Sequence, residues 1–415
     1  MKVLVLGSGG REHALAWKLA AEAEVHAAPG NPGIAQVAEC HAVALSDDLG
    51  IVELCRRVRP DYALVGPEAP LLAGLADWIR EAGTPVVGPG AEAARLEGSK
   101  SFAKRLMAEA GVPTADFRTF ENPHEAREYA RQAYGAGKRL AIKASGPALG
   151  KGVVVADDVD TALAAIDDML VARSFGDAGT TVVLEEKLTG PEFSLLTLCS
   201  DRGYLSLPVA QDYKRAYDAD QGPNTGGMGS YSPLPRLRPE DIARTESEVV
   251  APALRVLSER GIPYRGVLFS GLLEHEGRPH CLEYNVRFGD PETQSVVLRL
   301  GRGLAEALKA VALGEEIPPV EVRPNASVAV VLASRGYPGS IETGFPIEIG
   351  DVGPDVQIFH AGTKVVGGAT VTAGGRVLAV AASGTDVAEA RSKAYRAVQA
   401  VSFEGMRYRS DIAAV

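Results

Sequence analysis

The densest group of chemically capable side chains is Leu282-Glu283-Tyr284-Asn285-Val286-Arg287-Phe288-Gly289-Asp290-Pro291-Glu292. On a strand, successive side chains alternate faces, so Glu283 and Asn285 point the same way. One carboxylate and one amide oxygen suit Mg²⁺, which takes few protein oxygens and fills its shell with water and phosphate oxygens. Arg287 then sits just beyond, within reach of a transferring phosphoryl group. The plain alternative is an edge strand with a solvated polar face. Acid, amide and arginine packed within five residues weigh against it.

The lysines point the same way. The chain carries 31 Arg and only 12 Lys, yet Lys104, Lys143, Lys151 and Lys187 fall in one stretch. Lys143, inside the apolar run RLAIKAS, needs a partner, because a buried unpaired charge costs several kcal/mol. GPALGKGVVV follows, with Gly146, Gly150 and Gly152 around Lys151. A phosphate loop of the G-x-x-x-x-G-K-[ST] type would open a helix, whereas valines follow here. The spacing predicts a glycine-rich flap at a hairpin tip, with an ordinary hairpin as the alternative. Glu185-Glu186-Lys187-Leu188 leaves a strand and enters the Gly190-Pro191 turn before Glu192. Such a hinge offers backbone N–H and C=O to an adenine edge and a carboxylate to ribose hydroxyls; taken alone, a charged strand end is more commonly just solvated.

Two more glycine segments stand out. Gly7-Ser8-Gly9-Gly10-Arg11-Glu12 joins a strand to a helix, where free N–H groups and the helix dipole attract anions. Glu12 breaks the G-x-G-x-x-G dinucleotide pattern, and the next strand ends in Pro29-Gly30-Asn31 with no acid for a ribose. A phosphate site or a plain tight turn remain. Gln211-Asp212-Tyr213-Lys214-Arg215 and Pro223-Asn224-Thr225-Gly226-Gly227-Met228-Gly229 lie in a polar, non-periodic segment, 211–233, expected to be a long functional loop.

The elements that must position these residues are legible. Over the first ~100 residues, short apolar runs (KVLVLG, VHAAP, DYALV, TPVVG) alternate with helical patterns. This predicts a doubly wound parallel sheet, with ligands at its carboxyl edge. SKSFAKRLMAEAGVP reads as a helix with Ser99 as N-cap and Gly111 as stop. EFSLLTLCS and YLSLPVA read as an antiparallel pair, as do the halves of YRGVLFSGLLEHEGRPHCLEYN. GEEIPPVEVRP reads as a linker to a small α+β tail. The expected organisation is an α/β domain over 1–100, a central domain over 101–316 with a mobile part at about 113–190, and a C-terminal α+β domain over 317–415.

Composition sets the outer bounds. The 415 residues exceed one domain at ~100–200 residues each, and 46% are apolar. A net charge of −10 argues against broad binding to nucleic acid or anionic membrane. No run reaches the ~18 apolar residues of a membrane span, and the start does not read as a signal peptide. The four cysteines are scattered, suggesting neither disulfides nor a zinc site. A cytoplasmic protein is expected. The seven histidines contain no H-x-x-x-H and there is no G-x-S-x-G, so histidine–zinc hydrolysis and serine-triad chemistry are excluded as activities.

Taken together, VLGSGGREHALAWKL, VGPEAPL, LEGSK, GKGVVVA, AQDYKRAYDADQGPNTGGMGSYSP, LEYNVRFGDPETQ and FHAGT cover essentially the whole chain. They closely resemble the phosphoribosylamine–glycine ligase family of the ATP-grasp superfamily. GPNTGGMG and RFGDPETQ are specific to that family; the flap alone would indicate the superfamily. The resemblance implies a central ATP-grasp fold, a monomer, and ATP with Mg²⁺ or Mn²⁺ as cofactors. The implied reaction joins glycine to 5-phosphoribosylamine through a glycyl phosphate, in purine biosynthesis, with no nucleic-acid or membrane partner. A sister ligase acting on aminoimidazole ribonucleotide and bicarbonate is the enzymatic alternative, and a nucleotide-binding module without turnover the non-enzymatic one.

By matching positions, the resemblance implies Lys104 and Lys143 on ATP phosphates, and Gly150, Lys151 and Gly152 in the flap. It implies Glu185, Glu186 and Leu188 at adenine, Glu192 at ribose, Glu283 and Asn285 as metal ligands, and Arg287 on the phosphoryl group. Gly9, Gly10, Arg11, Pro67, Glu68, Asn224, Thr225, Gly226 and Gly227 would hold the ribosylamine, and Asp212 and Asp290 would orient the amines. The chain departs from the family at Ser145 for Asp, Pro147 and Leu149 for more flexible residues, Tyr213 for His and Ala219 for Gly.

Overall fold

A computed structural model describes residues 1–147 and 152–415. Its first sheet is built from apolar runs buried on both faces, as parallel strands require. These are β1 (Lys2–Gly7), β2 (Glu24–Pro29), β3 (Glu39–Cys40), β4 (Tyr62–Val65) and β5 (Val86–Val87), all parallel in the order β3-β2-β1-β4-β5. Between strands lie helix α1 (Gly10–Leu19), buried along nearly its whole length, and the amphipathic helix α2 (Asp48–Val58). The helical pattern PLLAGLADWIREAG falls within two helices, α3 (Glu68–Leu72) and α4 (Leu75–Glu81). Gly74, at φ +90°, breaks it, in a conformation that a side chain disfavours. The strand order reverses between β1 and β4, so the crevice of the sheet opens at Gly7 and Gly66.

Helices α5 (Ala91–Gly98) and α6 (Lys100–Ala110) lead to the central region. Ser99 Oγ accepts the Phe102 N–H at 3.3 Å, and Gly111 ends α6 at φ +69°, as the sequence predicts. An antiparallel sheet follows, β6 (Phe117–Phe120), β7 (Leu140–Ala144), β8 (Val153–Ala156) and β9 (Val182–Glu186), in the order β6-β9-β7-β8. Alanine-rich α7 (Pro123–Gly135) and α8 (Val159–Ile166) close its core. The two expected hairpins form: β10 (Glu192–Ser200) with β11 (Gly203–Ser206), and β16 (Gly266–His275) with β17 (Arg278–Asn285), assembled as β11-β10-β16-β17.

The segment 211–233 is not the structureless loop that its lack of period suggests. It holds β12 (Gln211–Asp212), β13 (Arg215–Tyr217), β14 (Gln221–Asn224) and β15 (Gly229–Ser232). Strands of two to four residues show no readable alternation; β13 and β14 pair with each other, while β15 pairs with β12 and with a strand of the tail. Helices α9 (Pro239–Thr245), α10 (Ala251–Glu259), α11 (Glu292–Val296) and α12 (Leu304–Leu313) complete this part.

The tail adds β18 (Ala326–Ala333), β19 (Glu348–Ile349), β20 (Val356–His360), β21 (Thr363–Val366), β22 (Ala369–Thr372), β23 (Arg376–Gly384), α13 (Val387–Val398) and β24 (Val401–Ser402). Its main sheet runs β12-β15-β18-β23-β20. The tail sheet therefore borrows two strands from before residue 317, through the β15–β18 pairing of Gly229 with Val330. The four cysteines are free, and among the described residues no helix is long and apolar enough to cross a membrane.

Candidate active site

At the crevice of the first sheet, Glu12 fills the space between two strand ends. Its Oε2 accepts the Gly9 N–H at 2.6 Å, and a Cβ at Gly66 would overlap its carboxylate. The Gly9 amide is thus already capped, while Arg11 reaches onward. Arg11 Nη1 donates to the Phe288 carbonyl at 3.1 Å, and Arg287 Nη1 donates to the same oxygen at 3.2 Å. Pro67 precedes α3 and Glu68 opens it, with Glu68 Oε2 3.6 Å from Arg287 Nε. Gly10 packs so closely on Gln294 that a Cβ would lie 2.7 Å from its Nε2. Gly9, Gly10, Arg11 and Glu68 therefore meet the RFGDPETQ segment in one place, with Pro67 next to Glu68 in the chain.

The second wall is lysine-rich. Lys104 on α6 and Lys143 on β7 are buried and both pair with Glu185 on β9, Lys104 at 2.6 Å. Burial pushes the Glu185 carboxyl up, but the two lysines outweigh it and hold it below the usual carboxylate range. Burial likewise lowers Lys104 in spite of Glu185. Lys104 Nζ also donates to Thr114 Oγ1 (2.6 Å), whose hydroxyl donates to the Cys281 carbonyl of β17 (2.6 Å). This chain of contacts ties the lysine wall to the strand carrying Glu283.

At the hinge the side chains are spoken for. Glu186 pairs with Lys138 at 2.6 Å, and Glu192 pairs with Lys214 at 2.7 Å. Among the described residues the Leu188 N–H meets no acceptor, as a hinge donor would. Gly150 and Lys151 lie outside the described residues. Gly152 is buried and its carbonyl accepts the Ala144 N–H at 2.8 Å. Lys187, which lysine scarcity singles out, makes an exposed pair with Asp157 at 2.8 Å and lies on the surface.

The third wall is β17. Its register pairs Glu283 with Gly271 and Asn285 with Phe269, so both oxygens face one side of the hairpin. Burial raises the Glu283 carboxyl, but Lys214, Lys143, Lys100 and Arg287 together hold it below its ordinary value. An ionised carboxylate beside an amide oxygen, with no imidazole or thiolate, fits a hard divalent cation. Around it lies an acid cluster: burial, then Glu292, Glu192 and Glu283, push Asp212 up to about 7 against the pull of Lys214. Burial also raises Glu292, which accepts from Ser194 Oγ at 3.0 Å. Asp290 differs. Burial opposes its ionisation, yet Arg376, Arg11 and the Gln294 hydrogen bond hold it low.

Three further residues enter the site, and one of them, Arg376, has no sequence signal of its own. Arg376 of β23 donates to the carbonyls of Gly226 (2.5 Å) and Asp290 (2.8 Å) and lies 3.2 Å from the Asp290 carboxylate. It locks the Asn224–Gly227 turn onto the Asp290 turn. Gly227 there has φ +105°, and a Cβ would lie 2.4 Å from Pro291 Cδ. Thr225 Oγ1 donates to the Lys214 carbonyl at 2.9 Å. Glu97 accepts from Arg287 Nη2 (3.0 Å) and from the Val286 N–H (2.8 Å). Lys214 is driven well above its usual value: burial opposes, but Glu192, Asp212 and Glu283 surround it. Glu97 and Lys214 were visible inside the LEGSK and QDYKR motifs; Arg376 sits in an ordinary strand.

Two departures from the family pattern have local explanations. Ser145 Oγ accepts the Ser101 N–H at 3.0 Å and its carbonyl accepts the Lys100 N–H at 2.7 Å, so it caps α6. The Tyr213 hydroxyl oxygen accepts the Ala413 N–H at 2.9 Å.

Paired lysines from a helix and an antiparallel sheet, facing a hairpin that carries an acid and an amide with an arginine just beyond it, define an ATP-grasp ligase. The fold alone is shared with the biotin carboxylase domain of the 2-oxoglutarate carboxylase from Hydrogenobacter thermophilus, at a TM-score of 0.74 and 19% identity over 98% of this chain and 91% of that one. More specifically, the chain belongs to the phosphoribosylglycinamide synthetase family: residues 1–97 match its N domain, 98–293 its ATP-grasp (A) domain and 327–415 its C domain. A phosphoribosylamine–glycine ligase from Rhizobium meliloti (strain 1021) is 48% identical, covering 99% of this chain and 98% of its own length. The crystal structure of a phosphoribosylamine–glycine ligase from Thermotoga maritima superposes at a TM-score of 0.88, with 37% identity over 99% of this chain and all of that one.

Proposed function

We propose that this chain joins glycine to 5-phosphoribosylamine at the expense of ATP, giving glycinamide ribonucleotide, ADP and phosphate. The observation that carries this reading is the convergence of lysine and arginine charge on Glu283, within one cleft that also holds the Arg11–Phe288–Arg287 contact. The family membership supports the choice of substrates.

A carboxylate is a poor acyl donor, so the glycine oxygen first attacks the terminal phosphorus of ATP and the bond to ADP breaks. Lys104 and Lys143 hold the phosphates, leaving Glu185 as they do so. The Leu188 amide meets adenine beside Glu185 and Glu186, and Glu192 meets ribose. Glu283 and Asn285 would hold Mg²⁺ or Mn²⁺, which would supply neutralisation of phosphate charge. Arg287 faces the charge that grows on the transferring phosphoryl group. The amine of phosphoribosylamine then attacks the glycyl carbon, and phosphate leaves. Asp212, whose carboxyl burial and the surrounding acids push up to about 7, takes the proton that the amine sheds, and Asp290 orients it. Gly9, Gly10, Arg11, Pro67, Glu68 and the 224–227 turn hold the ribosylamine. Glycyl phosphate hydrolyses readily, so Gly150, Lys151 and Gly152 serve as a flap that excludes water.

The test is ADP formation with each substrate omitted in turn. Turnover should require glycine, and bicarbonate should not replace it; ADP release supported by bicarbonate instead would overturn the reading. In the same assay Glu283→Ala should still bind nucleotide but lose turnover by roughly a thousandfold. Turnover near the parent level would remove Glu283 from the metal role.

A further inference from the structure

Among the described residues, one group of side chains outside the catalytic cleft brings three metal-ligand atoms within 4.8 Å of one another: His26, Glu39 and His41. Nothing in their spacing along the chain signals this. The parallel pairing of β2 with β3 sets His26 beside Glu39. Two residues further, His41 returns to the same face, held by its N–H donating to the Ala27 carbonyl at 2.8 Å. His26 Nδ1 lies 3.0 Å from His41 Nε2 and 3.7 Å from a Glu39 oxygen, and His41 Nε2 lies 3.9 Å from the other. Ligand atoms on a tetrahedral zinc ion, at about 2.0–2.2 Å from the metal, are about 3.3–3.5 Å apart. The histidine–histidine separation falls just below that edge, and the separations to the two Glu39 oxygens fall just above it.

The outer contacts suit the role. His26 is buried, and its Nε2 lies 2.9 Å from Glu24 Oε1. A carboxylate only accepts, so Nε2 carries the proton and Nδ1 presents its lone pair toward His41. A carboxylate that fixes the tautomer of a ligating histidine is the usual outer partner of zinc. Lys2 neutralises Glu24 from outside at 3.3 Å, which leaves Glu24 as an outer partner and Glu39 as the ligand. Arg57 brings an opposing positive charge near His41. Glu39, largely exposed, leaves the outer side open for a water as fourth ligand.

The geometry points to a structural site for a borderline divalent transition metal, Zn²⁺ foremost, at the edge of the N-terminal sheet. Two imidazoles and one carboxylate select zinc, cobalt or nickel over Mg²⁺ or Ca²⁺. The bound ion would clip β3, which pairs over only two residues, to β2. It would thereby close the connection carrying Asn31, whose amide donates to the carbonyls of Ser8 (2.9 Å) and His360 (2.8 Å).

The experiment is Zn²⁺ and Co²⁺ titration of the full chain, stripped with chelator and then held in excess Mg²⁺ so that the oxygen-lined cleft does not compete. One Zn²⁺ per chain is expected, with a rise in Tm and the intense visible absorption of four-coordinate Co²⁺. His41→Ala should weaken Zn²⁺ by a hundredfold or more, and Glu24→Gln by roughly 10–100-fold. Both variants should keep their metal-free Tm and Mg²⁺-dependent turnover. Glu39→Gln, an exposed change, serves as a further variant should His41→Ala fold poorly. Zinc affinity unchanged in these variants, no zinc retained by the parent, or a weak six-coordinate Co²⁺ spectrum would overturn the site.

Discussion

Arg287 is held from several sides in the cleft. Glu97 holds one end of its guanidinium at 3.0 Å, Glu68 approaches at 3.6 Å, and the ring of Phe269 lies under it at 5.9 Å. The acids drive its pKa above the ordinary arginine value although burial opposes them. Glu97 is itself raised, chiefly by burial, and spends its second oxygen on the Val286 N–H. It therefore acts through Arg287, by aiming a planar fork that has few rotamers left. We expect Glu97→Gln to lower kcat by about 10–100-fold with little change in KM for glycine and little change in Tm. Steady-state kinetics beside a melting curve decide this; a loss confined to Tm would mean that Glu97 only supports the fold.

At the level of elements, the β13–β14 ribbon shows how a departure from the family pattern is tolerated. The turn between its strands holds Ala219 at φ +56° and Asp220 at φ +53°. Alanine disfavours this left-handed region by about 1 kcal/mol, and glycine does not. The turn persists because the end of the chain grips it: Arg409, almost fully buried, meets Asp220 at 2.8 Å and the Arg215 carbonyl at 3.1 Å, while the Ala219 N–H donates to Asp411 at 2.8 Å. Ala219→Gly should accordingly stabilise the protein by about 0.5–1 kcal/mol. Urea denaturation measures it, and a net loss of stability would show that added freedom in the unfolded chain outweighs relief of the turn.

On the scale of the whole molecule, the N-terminal and C-terminal parts meet through two buried histidines. The His360 N–H donates to His13 Nδ1 at 2.8 Å, and Phe359 meets the His13 ring edge-on at 5.5 Å. Burial, with the nearby His360, lowers His13 to about 3; burial lowers His360 to about 4. Both stay neutral in the folded protein while the unfolded chain protonates them near pH 6.5. Their contribution is complete above that pH. As pH falls below it, the unfolded chain binds more protons and stability drops, by about 1.4 kcal/mol per pH unit for each histidine, until the folded values are reached. Urea midpoints between pH 7 and 5 should show this slope, and His360→Gln should make it shallower by about one proton. Equal slopes would mean that the pair does not stay neutral on folding.

Much of this was legible from residues alone, because the forces involved are short-ranged. Apolar runs ending in glycine or proline set the parallel sheet, Ser99 and Gly111 bound α6, and alternation put Glu283 and Asn285 on one face. The family motifs then supplied the cleft. What the chain's order could not express was pairing across long separations. The 211–233 segment reads as loop because its strands are too short to show a period, yet β15 joins β18 and makes the tail sheet continuous with the central region. Arg376, in a plain strand, becomes the clamp between two glycine turns only once that sheet forms. His26 and His41 carry no metal spacing, and meet only through the register of two parallel strands. Local pattern decides which elements exist and what each face carries; which faces meet depends on hydrogen-bond register and close packing between distant segments, and those are settled only by the folded whole.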